Sequence, residues 1–383
     1  MRAILVVFIA LVTLPRVATS AQFTRLGALN GGLLNSSASD LSADGRWVTG
    51  AAVLGPDHVE AFVWSRHTGF KPLGDLPTGI TYSVAGDISN DGQTVVGQGS
   101  ARGDYALLDG FIWTASGGMA PLGFLDDKDS PRSYGQGVSG DGQIAVGSGS
   151  SHQGNQAFRW TSAGGMQGLG DLPGGAFESY ARAISDDGRV IVGSSQSEIA
   201  LEAFRWTSEG GMQGLGFLPG FVSQTHPNAV NSDGSIIVGS VARQGWRWTE
   251  STGMVNLEHL AEFGANSGFS ASGLTEDGNI IVGVADPNNA ASAVAAIWDQ
   301  AHGVRNLQKV LEVEHGLVLP GWTLRSASGI SSDGNVVIGS GTNPQGISEG
   351  WLVNLAIPEP ATAWLTMLAS ITLVNATRRN RSA

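Results

Sequence analysis

Short apolar runs follow a D-G pair at a nearly constant interval along this chain. They read "TVVG" (94–97), "IAVG" (144–147), "VIVG" (190–193), "IIVG" (236–239), "IIVG" (280–283) and "VVIG" (336–339). A sheet with one wet face alternates apolar and polar residues, so runs apolar on both faces predict strands covered on both sides. Each run is preceded by a D-G turn, at Asp44, Asp91, Asp141, Asp187, Asp233, Asp277 and Asp333. The D-G pair reads as a type I′ hairpin.

Two further landmarks keep the same beat. An aromatic strand reads "AFVW" (61–64), "GFIW" (110–113), "AFRW" (157–160), "AFRW" (203–206), "GWRW" (245–248), "AAIW" (295–298) and "GWLV" (350–353). An L-G segment reads "LGAL" (26–29), "LGDL" (73–76), "LGFL" (122–125), "LGDL" (169–172) and "LGFL" (215–218), then becomes "NLEHL" and "NLQKVL". Each unit is two hairpins, hence four strands in about 46 residues, the spacing of a β-propeller blade. Seven copies predict an all-β, seven-bladed propeller of four-stranded blades. "FTRLGAL" at the start lacks a preceding aromatic strand, and "EGWLVNL" at the end lacks a following L-G strand. Together they make one blade, closing the ring with the N-terminal segment as outer strand; a two-plus-two closure is the alternative. That phase puts the segment before each D-G innermost. One column there is small, reading Ala38, Ala85, Gly135, Ala181, Pro227, Ala271 and Ala327, as blades converging on an axis require.

Composition agrees with many short strands: 56 glycines in 383 residues, only 14% charged residues and 11 tryptophans. A net charge of −12 gives no basic face for nucleic acid. The absence of cysteine removes disulfides, thiolate metal sites and cysteine nucleophiles.

Both ends read as addresses. Residues 1–21 form a signal peptide: Arg2, an apolar run from Ala3 to Leu14, then "ATSA" with cleavage at Ala21. Residues 22–356 are the propeller. Residues 357–383 carry Pro358, Glu359 and Pro360, an apolar stretch to Ala376 expected to form a short membrane helix, and Arg378, Arg379 and Arg381, which stop translocation. The stretch is short and polar for a span, so an amphipathic helix is the alternative. This tail resembles that of bacterial PEP-CTERM proteins, which implies an exosortase-type processing enzyme as partner and transient membrane anchoring. With "QAFRWTSAGGMQGLGDLPGG" and "AISDDGRVIVG", the body resembles the HAF-repeat extracellular proteins from residue 22 to about 355. The His expected before Ala-Phe is Glu60, Gln156 and Glu202 here. The resemblance implies a cell-surface or extracellular-matrix location and transfers no catalytic residue.

Candidate chemistry is sparse. The D-G turns each offer one or two oxygens where calcium needs six to eight, so they read as turns. Asp126, Asp127 and Asp129 read as a solvated loop, and the tripeptide Arg102–Asp104 as chance. The histidines at 58, 67, 152, 226, 259, 302 and 315 lack metal spacing, and neither a nucleophile elbow nor a phosphate loop occurs. Trp64, Trp113, Trp160, Trp206, Trp248 and Trp298, one per repeat, read as blade packing. "NLEHLAEF" and "LQKVLEVEHGLVLPGW" break the pattern; each predicts a short helix, on Leu257, Leu260 and Ala261 and on Leu307, Val310 and Leu311, and a binding face. The expected function is a non-enzymatic scaffold, without cofactor, that binds exopolysaccharide or a surface protein. The alternative is a glycan hydrolase or lyase using Asp40 and Asp87, the two carboxylates of the innermost column.

Overall fold

The structure, a computed structural model, describes residues 21–27, 35–77, 80–100, 108–126, 131–257, 263, 267–286 and 292–355. It contains seven four-stranded antiparallel sheets, each built from consecutive strands except the last. Blade 4 is typical: Gly174–Ile184, Ile191–Ser197, Leu201–Thr207 and Gly211–Gly214, from axis to rim. Blade 7 takes Thr323–Ile330, Val336–Thr342 and Ser348–Asn354 from the end of the chain and Gln22–Arg25 from its beginning. The sequence-based phase of the closure holds strand for strand. The expected signal helix and membrane helix lie outside the described residues, as do Pro358, Glu359, Pro360, Arg378, Arg379 and Arg381. Among the described residues no helix is long and apolar enough to cross a membrane.

The closing seam is well tied. Gln22 faces Asn354 and Arg25 faces Trp351. Arg25 forms an ion pair at 2.8 Å with Glu349, whose carboxylate is fully buried. Glu349 also accepts from the Gly27 N–H at 3.1 Å and from Asn343 Nδ2 at 2.8 Å. Phe23 meets Trp322 edge-on at 5.0 Å and stacks on Trp351 at 6.5 Å.

Seven apolar clusters sit one at each blade boundary. Their largest members are not the repeated tryptophans. Phe62, Phe111, Phe158, Phe204, Trp246 and Trp351, two positions earlier, are fully buried. Each faces a glycine of the second strand across the register, Gly193 against Phe204 being typical. A Cβ on Gly193 would stand 2.0 Å from the Tyr180 carbonyl and 2.7 Å from the Phe204 ring. In six of the seven blades the glycine closing the second-strand run is therefore the hole that the aromatic ring fills; in the sixth, Gly283 faces Ala296. Of the repeated tryptophans, Trp64 and Trp113 are buried, whereas Trp160, Trp206, Trp248 and Trp298 are half-buried at the cluster margins. All six indoles pack on the boundary clusters, the first two inside them and the other four at their margins.

The D-G turns also differ from expectation. Only the glycine has positive φ, as at Gly45 (φ 69), so the turn is not type I′. Instead Gly45 N–H bonds the Ser42 carbonyl at 2.8 Å, and Asp44 Oδ1 accepts from Ser42 Oγ at 2.8 Å and Arg46 N–H at 2.9 Å. The aspartate serves its own turn, which favours a four-residue loop over the two-residue hairpin. One predicted helix is present: α1 (Leu307–Val313) is capped by Asn306 and buries Leu307, Val310 and Leu311 in the core. The other, around Leu260 and Ala261, lies outside the described residues.

Candidate functional site

The residue between the turn's first position and its aspartate lines the axis in every blade: Ala43, Asn90, Gly140, Asp186, Ser232, Glu276 and Ser332. Hydrogen bonds link these seven positions into a ring. Asn90 N–H reaches the Gly140 carbonyl at 3.0 Å, Gly140 N–H reaches Asp186 at 3.0 Å, and Asp187 N–H reaches Ser232 at 3.2 Å. Glu276 N–H reaches Ser332 at 3.0 Å, and Ser332 N–H reaches Ala43 at 2.9 Å, closing the circle. Side chains supply the remaining two links: Asn90 Oδ1 takes Ala43 N–H at 3.0 Å, and Glu276 Oε2 takes Ser232 N–H at 3.2 Å.

Beneath this ring is an axial cavity of about 130 Å³ that Asp40, Asp87, Asp186, Asn228 and Ser328 help to line. Each inner strand carries a β-bulge at this level, as between Ala38 and Asp40 and between Ala85 and Asp87, which turns the carboxylates inward. Asp40 and Asp87, the pair expected from the sequence, are thus neighbours. Burial raises both above the usual carboxylate range, Asp40 strongly, with Asp87 pushing it further, and Asp87 to about 6. Their side chains keep partial exposure to the cavity, yet the protein packed around them strips most of their water. Of the two, Asp40 is raised the further.

The oxygens are already engaged. Asp87 Oδ1 accepts from Ile88 N–H at 2.6 Å and Oδ2 from Val138 N–H of blade 3 at 2.8 Å. Asp40 Oδ1 accepts from Leu41 N–H at 2.7 Å. Glycosidase carboxylates stand at least about 5 Å apart around the scissile bond, and ligand pockets start near ~300 Å³. The axial cavity, at about 130 Å³, is below that pocket size.

Larger hollows lie between blades, toward the rim on the D-G face. One of about 490 Å³ at the blade 4/5 boundary is lined by Arg205, Gln213, Asp233, Arg247 and Trp248. Its neighbour at the 5/6 boundary, about 620 Å³, is lined by Arg247, Asn256, Asn279, Trp298 and His302. Sequence reading missed these clefts. The available signal was the residue before the last position of the aromatic strand, which is Val63, Ile112, Ile297 or Leu352 in four blades and Arg159, Arg205 or Arg247 in three consecutive ones.

Other candidates resolve simply. Asp126 lies 3.6 Å from His152, and His58 lies 3.4 Å from Glu60. His302 pairs with Asp299 at 2.8 Å. Asp127, Asp129, the tripeptide at 102–104 and His259 are outside the described residues. Among the described residues no three histidine or acidic side chains converge to hold a metal ion. The glutamates before the aromatic strand have a structural job: Glu60 and Glu202 accept the N–H of Gly74 and Gly216 at 3.0 and 2.8 Å. Ala21, the expected cleavage position, is 5% exposed in the core cluster of the 6/7 boundary.

No family model matches the sequence, and no curated protein matches it. Among solved structures it is similar to an oligogalacturonate lyase in complex with manganese (12% identity, TM-score 0.51, 89% of this chain and 95% of that one). It is also similar to puromycin hydrolase (14%, TM-score 0.52, 85% of this chain and 52% of that one). TolB from Acinetobacter baumannii gives 11% identity and a TM-score of 0.46 over 69% of this chain and 63% of that one. The chain therefore spans less than two thirds of TolB and about half of puromycin hydrolase. At these identities the likeness is one of fold.

Proposed function

We propose that this chain is an exported bacterial surface or extracellular-matrix protein, a non-enzymatic propeller scaffold that binds glycan. Residues 1–21 serve as its signal peptide and Pro358, Glu359 and Pro360 as the recognition point of an exosortase-type enzyme, with Arg378, Arg379 and Arg381 retained in the cytoplasm before processing. The observation that carries the binding reading is the half-buried state of Trp248 and Trp298, whose indoles line clefts of about 490 and 620 Å³. A large rigid aromatic face left open beside polar groups suits the C–H face of a sugar ring. The test is a glycan array probed with the purified protein. Binding that Trp248→Ala and Trp298→Ala abolish supports the reading, and an array without a single ligand refutes it. Mass spectrometry of the secreted form tests the sorting: an intact Ala383 on surface-located protein overturns it.

A second reading, a secreted glycan hydrolase or lyase, has one observation in its favour, the raised carboxyl pair at the axis. It requires that Asp40→Asn or Asp87→Asn abolish a measured polysaccharide cleavage.

A further inference from the structure

We propose that the two clefts form one continuous groove for an oligosaccharide bearing carboxylates, with Arg247 on the partition and Trp248 and Trp298 as stacking platforms on either side. This rests on the glycan-binding reading above and names the ligand class.

The position of Arg247 is the starting point. In four blades the residue before the tryptophan column is apolar and buried: Val63, Ile112, Ile297 and Leu352 are 3%, 9%, 8% and 1% exposed. Where it is apolar it can cover the next blade's indole. Val63 shares a buried cluster with Trp113 and Leu352 shares one with Trp64, whereas Trp160, packed on the cluster of Ile112, stays half-buried. Arg159, Arg205 and Arg247 replace that cover in three consecutive blades, and the indoles they face, Trp206, Trp248 and Trp298, are half-buried. Packing alone gives no reason for the change, since the apolar version is present in the same ring.

Arg205 and Arg247 lean across the boundary onto the next D-G turn. Arg205 Nε lies 3.5 Å from the Gly234 carbonyl, and Arg247 Nε lies 3.1 Å from where a Cβ on Gly278 would stand. Among the described residues neither has a carboxylate partner. Arg247 lines both clefts, so a chain-like ligand crossing from one to the other passes its guanidinium. Among the described residues the 5/6 cleft has no Asp or Glu in its lining. The 4/5 cleft has Asp233, turned to its own loop through the Ser235 N–H at 2.9 Å, and Glu250, exposed. Across the boundary His302 is paired to Asp299, which also holds Arg305 at 2.6 Å, so neither acid nor histidine competes for Arg247.

One further group is waiting for a donor. Asn256 lines the 5/6 cleft, and its Oδ1 is buried without a hydrogen-bond partner among the described residues. A buried unsatisfied acceptor is costly, and a sugar hydroxyl is the donor that a glycan brings. The planar guanidinium fork matches a carboxylate with two parallel hydrogen bonds, which a neutral sugar does not offer. The net charge of −12 does not oppose this at short range, since at physiological salt charges beyond about 8 Å are screened.

The test uses the full-length protein and isothermal titration calorimetry with oligomannuronate, oligogalacturonate and hyaluronan oligosaccharides, each beside its carboxyl-reduced neutral counterpart. At least one acidic oligosaccharide should bind about tenfold or more tighter than its reduced form. Arg247→Ala should remove that difference, and Trp298→Ala should weaken both forms. If Arg247→Ala does not fold, Asn256→Asp sets a like charge in the groove and should weaken the acidic ligand while sparing the neutral one. Equal affinity for acidic and reduced forms, or an unchanged preference in these variants, overturns the carboxylate assignment while leaving glycan binding intact. Absence of binding to any glycan fails the broader reading instead.

Discussion

Asp87 Oδ2 accepts the Val138 main-chain N–H across a blade boundary at 2.8 Å, so one carboxylate of blade 2 fixes the bulged inner strand of blade 3. Asp87→Ala should leave that buried N–H without an acceptor and cost about 2–3 kcal/mol, read as a fall in the melting temperature. A loss within about 0.5 kcal/mol would mean that water replaces the carboxylate.

The raised carboxyls of Asp40 and Asp87 make stability depend on pH. Both carboxyls are raised from 3.8, Asp87 to about 6 and Asp40 further, so the folded state binds protons that the unfolded chain releases. The pair's stabilisation is full below about pH 4 and fades as pH rises through about 6 and beyond, on the order of a few kcal/mol. Asp40→Asn supplies a permanent donor in place of the proton. Calorimetry at a series of pH values should show the wild type losing stability from about pH 4 upward and the variant losing less of it.

Gly193→Ala should be far more damaging than its one methyl group suggests. The new Cβ meets the Tyr180 carbonyl at 2.0 Å and the Phe204 ring at 2.7 Å, neither of which can retreat within a packed blade. We expect a loss above about 3 kcal/mol or failure to fold. Gly165→Ala, at φ 63 with open space around it, should cost only about 1 kcal/mol. Equal effects would show that backbone conformation, not the ring, selects glycine here.

Ala242 and Arg243 form the two-residue link between Ile236–Val241 and Gln244–Thr249, and both have positive φ, 44° and 68°. Asparagine tolerates that region better than alanine. Ala242→Asn should therefore raise stability by about 0.5–1 kcal/mol, visible in a denaturant titration.

At the seam, Glu349→Ala removes a fully buried carboxylate that serves Arg25, Gly27 and Asn343 together. A cost of about 3–5 kcal/mol is expected, with the segment near Arg25 opened to proteases. Glu349→Gln keeps most acceptors and should cost less. If limited proteolysis finds the variant's N-terminal strand still protected, the aromatic contacts of Phe23 hold the seam alone.

The blades were legible because every copy repeats its landmarks, and the closure because "FTRLGAL" and "EGWLVNL" are complementary fragments of one repeat. Asp40 and Asp87 were legible as neighbours for the same reason: equal positions in adjacent copies are adjacent in space. Their hydrogen bonding was not, because it depends on bulges at Ala38/Asp40 and Ala85/Asp87 that no residue type announces. The packing centre was assigned one step too late, to the tryptophans, since Phe204 and Trp206 share one strand and only the opposing Gly193 tells them apart. The clefts went unread because attention to what repeats hides what changes, here Arg in three blades against Val, Ile or Leu in four.

The seam has a mechanical consequence. Gln22 and Asn354 are partners in an antiparallel pair, so the two ends of the described ring leave the same rim side by side. Tension between them loads the ladder one rung at a time, from Gln22–Asn354 toward Arg25–Trp351, the peeling geometry in which hydrogen bonds resist least. A pull on one end, balanced by a ligand held elsewhere on the ring, need not pass through that ladder in the same way. The described ring therefore opens most readily when it is drawn by both ends of this pair.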